Sequence, residues 1–178
     1  MRRISLSLAL TFTLMWSACG TSSPARPTPP PDLSGAWLGE MTLTTFEGGE
    51  CLATAFHDIA GFPGQFNASL VQSGSHVTAT MDLGHTGAVC DFDGSIDGDQ
   101  LVLNATSCAA PKTVAVQCPN DAPRGLLPQG ESLRATIGDN RVDGRAIEDD
   151  NVVLSGTSTS VGHFTGTSSF ILTRRLPG

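Results

Sequence analysis

At 178 residues the chain has the length of one folded domain with extensions, and two independent cores would be crowded. With 20 Gly, 11 Pro and a single lysine, Lys112, it lacks the long Ala/Leu/Glu/Lys runs that build helices, while its many Thr, Ser and Val residues suit strands. Seventeen acidic residues stand against ten basic ones, and no Lys/Arg cluster is interleaved with aromatics, so no nucleic-acid partner is expected, for want of a source of phosphate attraction.

In chain order, Arg2 and Arg3 precede an apolar run from Ile4 to Trp16 that is shorter than the ~20 residues needed to cross a bilayer. This is the layout of a secretory signal over residues 1–18. The run ends in Trp16-Ser17-Ala18-Cys19-Gly20, which resembles the lipobox of bacterial lipoproteins. The resemblance implies a diacylglycerol- and palmitate-modified Cys19 as the mature N-terminus and a membrane partner held through that lipid. Trp16 departs from the aliphatic residue usual there, and ordinary cleavage after Gly20 is the alternative. Gly20 rather than Asp after the cysteine implies the outer membrane, facing the periplasm or the exterior. Residues 19–32 continue as a Pro-rich linker, which in extended polyproline geometry gives a stalk of roughly 35 Å, or else a plain disordered leader.

The remaining residues, 33–178, read as a single all-β domain. Segments of alternating apolar and polar residues recur about every ten residues between turn signals. In Gly35 to Thr44, Trp37, Met41 and Leu43 share one face, and Glu40, Thr42 and Thr44 the other. Gln65 to Gln72 and His76 to Leu83 flank Ser73-Gly74-Ser75, and Ala88 to Ile96 and Gln100 to Thr106 flank Asp97-Gly98, a type I′ hairpin signal. Glu131 to Ile137 and Arg141 to Ile147 flank Asp139-Asn140, and Asn151 to Thr159 and Thr167 to Arg175 form the last pair. The expectation is an antiparallel meander of about eight to nine strands, with a barrel favoured over a sandwich because closure removes exposed edges. No helical period competes. Residues 46–64 and 108–130 break the rhythm and read as long loops.

With Cys19 lipidated, an even set remains at Cys51, Cys90, Cys108 and Cys118, which in an oxidising compartment predicts two disulfides. Three pairings are open; the short Cys108 to Cys118 loop favours that local bridge and leaves Cys51 with Cys90. Neither C-x-x-C nor H-x-x-H spacing occurs, so zinc is not expected. The Asp91, Asp93 and Asp97 run lacks the first and last ligands of a calcium loop and reads as alternate aspartates on a solvated strand face. His57, His76, His85 and His163 fall on separate segments, Asp149-Asp150 reads as solvated beside a turn, and no G-x-S-x-G elbow appears, so no catalytic constellation, metal or cofactor is expected.

The opening Asp32-Leu33-Ser34-Gly35-Ala36-Trp37 and the closing Phe170-Ile171-Leu172-Thr173-Arg174 resemble the two ends of calycin barrels, the lipocalin and avidin group. There a Gly-x-Trp on the first strand packs against a basic residue of the last, which implies Trp37 and Arg174 as a barrel-closing pair. The expected function is a tethered, non-catalytic binding or structural module of the envelope. The alternative is a lipocalin-like carrier of a small hydrophobic ligand, with Met41, Leu43, Phe66 and Leu70 lining the lumen; large inward side chains that fill the lumen favour the former.

Overall fold

The computed structural model describes residues 29–57, 60–83, 88–109 and 122–175. The expected signal segment, Cys19, His85, Lys112 and Cys118 lie outside them. Eight strands run as β1 (Gly35–Glu47), β2 (Pro63–Ser73), β3 (His76–Leu83), β4 (Ala88–Asp97), β5 (Gln100–Ala109), β6 (Arg124–Ile137), β7 (Arg141–Leu154) and β8 (Ser160–Arg174), with one helix, α1 (Glu50–His57), after β1. Each strand pairs antiparallel with the next, and β8 pairs with β1, so the sheet closes into a barrel with no free edge.

Alternation places one side of each strand in the lumen. On β1, Trp37, Gly39, Met41 and Leu43 are buried and Leu38, Glu40 and Thr44 exposed, which is the period of two that the sequence carries. Glycines with positive φ sit in the turns: Gly74 between β2 and β3, Gly98 between β4 and β5, and Gly156 between β7 and β8.

Three expectations are corrected. Of the expected eight to nine strands, the described residues form eight: the segment from Asn151 continues β7 to Leu154 and is not a strand of its own, because Ile147 to Asp150 hold the ladder with both neighbours and the turn waits for Gly156. The break after Phe46 contains a helix, whose Leu52 and Phe56 stand one turn apart on its buried face; eight residues are too few to raise a helical period against the surrounding strands. The break after Cys108 contains the first half of β6, from Arg124, where a register shift between Pro128 and Gly130 interrupts the alternation.

The cysteine pairing also differs. Cys90 is bonded to Cys108, not to Cys51, because the β4–β5 register makes the two direct cross-strand neighbours with Cα atoms 4.0 Å apart. Cys51 is disulfide-bonded too.

Two apolar clusters fill the lumen. The larger joins Leu33, Trp37, Met41, Phe66, Leu70, Phe92, Leu133 and Phe170 with their neighbours. The smaller, under α1, joins Leu43, Leu52, Phe56, Leu126, Val152 and Phe164, with ring centroids of Phe56 and Phe164 4.9 Å apart.

Candidate functional site

Between the two clusters lies a layer of acids. Inward positions along β7 read Val142, Ala146, Glu148, Asp150 and Val152, so Glu148 and Asp150 follow each other at the spacing that keeps side chains on one face. Across the ladder Glu148 stands opposite Glu131, whose inward neighbour on β6 is Leu133. On β8 the inward Ser168 lies between Phe164 and Phe170, and its hydroxyl donates to Glu148 Oε1 at 3.0 Å. Strand parity and register together thus converge three carboxyl groups that are separate in sequence.

One oxygen from each of Glu131, Glu148 and Asp150 lies within 4.8 Å of the others. The three residues are 4%, 1% and 0% exposed. Val152, Leu126 and Phe164 bound the layer toward α1, and Ala146, Leu133 and Phe170 bound it on the other side.

Burial penalises a charge on Glu131, and the nearby Glu148, Asp150 and Asp149 repel it, so its carboxyl is pushed up to about 10. At neutral pH it therefore holds a proton. Its Oε1 is buried and has no hydrogen-bond partner among the described residues. Such a group is costly to keep unless something compensates it. Asp149 points out of the barrel, where its carboxylate stands 3.1 Å from His163 Nε2 on the half-exposed surface.

The residues expected to close the barrel come together at the opposite end. The Arg174 guanidinium lies 4.9 Å over the Trp37 ring, within cation–π reach. Trp37 Nε1 donates to the Leu33 carbonyl at 2.9 Å, and Arg174 donates to the carbonyls of Ser34 and Asp32. These bonds fold Asp32 to Ser34 across the barrel mouth, with Leu33 buried as a plug. Arg175 instead reaches Asn67 Oδ1. Met41, Phe66 and Leu70 are buried in the larger cluster with Trp37, and Leu43 in the smaller one.

The other singled-out residues stay apart. Asp91 and Asp93 lie on the exposed face of β4; Asp91 accepts from Thr80 and Ser107, and Asp93 faces His76 at 3.1 Å. His57, His76 and His163 are all exposed and on different elements.

Sequence reasoning missed the acid layer because it ended the seventh strand at Ile147 and left Asp149-Asp150 beside a turn. The usable signal is the run Ala146, Glu148, Asp150, Val152, in which acids occupy positions whose flanks are core. Comparison with protein-family models, with curated proteins and with solved structures finds no match, so the chemistry of this chain is read from its own residues. Oxygen donors converging in an enclosed layer, one of them protonated, are equipped to take up positive charge.

Proposed function

We propose that this chain is a lipid-anchored, non-catalytic binding module of the bacterial envelope, with its binding place in the acid layer of the lumen. The observation that carries the reading is the unsatisfied, buried carboxyl of Glu131 beside Glu148 and Asp150. A barrel with a purely structural task gains nothing from it, since an aliphatic side chain in that layer would join the two apolar clusters at no electrostatic cost. The end of the barrel near Trp37 is filled by its own side chains, and so is the space under α1, where Phe46, Phe56 and Phe164 pack ring to ring. A carrier of an apolar molecule is the weaker reading on that ground. The lipobox-like Cys19 and the Pro-rich linker supply the tether and the spacing from the membrane, with the outer membrane as the place implied by Gly20.

Native mass spectrometry of the full-length chain, expressed with its own leader and extracted from membranes in mild detergent, tests this. The expected result is an acylated N-terminus at Cys19 and a retained small ligand or ion. A soluble product without acyl mass would refute the anchor, and an acylated chain that retains nothing and takes up nothing from an envelope extract would refute the binding role.

A further inference from the structure

We infer that Glu131, Glu148 and Asp150, with the Ser168 hydroxyl beside them, form a binding site for a calcium-sized divalent cation inside the barrel. This rests on the binding role proposed above and names its ligand.

Three observations carry it. The donor set is all oxygen, which selects hard cations of the calcium, magnesium and manganese kind over zinc or copper. The donor oxygens lie within 4.8 Å of one another, close enough to share one ion, and a buried set of three carboxyls favours calcium, because magnesium keeps several waters and is usually held by only one or two carboxylates. Finally, Glu131 is 4% exposed, its Oε1 has no hydrogen-bond partner among the described residues, and the side chain is aimed into the set. A bound ion would satisfy that oxygen and relieve the mutual repulsion of the acids in one step. The layer is bounded on both sides by buried apolar side chains, which suits a single ion better than a molecule carrying carbon of its own.

The full mature chain, stripped with EDTA, is titrated separately with CaCl2 and MgCl2 by isothermal calorimetry and thermal unfolding, alongside Glu131→Gln and the surface control Asp93→Asn. The expected result is one Ca2+ per chain, a rise of several degrees in the unfolding midpoint, and clearly weaker Mg2+ binding. Glu131→Gln should weaken Ca2+ by at least about tenfold, since even partners one shell removed from a metal are worth about 10–100-fold. Asp93→Asn should leave it unchanged. Should Glu131→Gln not fold, Ser168→Ala is titrated in its place and should also weaken Ca2+ binding, because the Ser168 hydroxyl stands beside the acids and bonds Glu148 Oε1.

Absence of Ca2+ binding, or Ca2+ binding that neither Glu131→Gln nor Ser168→Ala weakens, overturns the inference. A chain that ignores Ca2+ but retains an organic cation in native mass spectrometry overturns the ion and leaves lumenal binding standing. One that takes up neither overturns both.

Discussion

Replacing Glu131 by glutamine removes a titrating group while keeping the shape of the side chain. Because the folded state raises this carboxyl from 4.5 to about 10, it binds the proton more tightly than the unfolded chain does. The stability linked to that proton is complete below pH 4.5 and is lost progressively as pH climbs toward 10, at up to about 1.4 kcal/mol per pH unit. From pH 5 to pH 8 the wild type should therefore lose up to roughly 4 kcal/mol, a large share of the 5–15 kcal/mol typical of a domain. Glutamine does not titrate, so the variant escapes this loss. In EDTA, with unfolding by urea followed through the buried Trp37, the two proteins should be close at pH 5, and Glu131→Gln should be the more stable by up to roughly 4 kcal/mol at pH 8. Groups titrating elsewhere are common to both proteins and cancel in the difference. A gap that stays constant from pH 5 to pH 8 would refute the assignment of a raised, buried acid to Glu131.

A methyl group at Gly94 would stand 1.9 Å from the carbonyl oxygen of Val102, a ladder atom that cannot turn aside, so Gly94→Ala should lose more than about 3 kcal/mol in urea unfolding and accumulate poorly as folded protein. Phe164 is fully buried against Phe46 and Phe56, and Phe164→Ala should lower stability by about 3–5 kcal/mol, read as a shift of the urea midpoint. The Cys90–Cys108 bridge closes a loop of 18 residues; its double serine variant should lose about 3 kcal/mol, and non-reducing peptide mapping of the wild type should recover the two cysteines in one linked fragment.

The barrel was legible because its evidence is local. Alternation in Gly35 to Thr44 and the turn signals at Gly74 and Gly98 each lie within a few residues, and a chain of short hairpins has few topologies open to it. What depends on register was not legible. Cys90 and Cys108 are neighbours only through the β4–β5 ladder, and a short intervening loop is a poor guide to which thiols meet. The acid layer is the same kind of case. Glu131, Glu148 and Asp150 look like solvated acids near turns until β7 is followed as one strand to Leu154, and only then does parity turn two of them inward and the ladder set the third opposite. The α1 helix escaped for a different reason: its apolar face is a pair, Leu52 and Phe56, in a segment too short to establish a period.

Carbon-detected NMR of the side-chain carboxyls, titrated from pH 4 to pH 10 in EDTA, tests the account at its centre. It predicts that the Glu131 carboxyl is still protonated at pH 7.5 and titrates far above the ordinary glutamate range, and that Ca2+ added at pH 7.5 shifts its resonance to the carboxylate position. A Glu131 signal that titrates near 4.5 and does not respond to Ca2+ would contradict it.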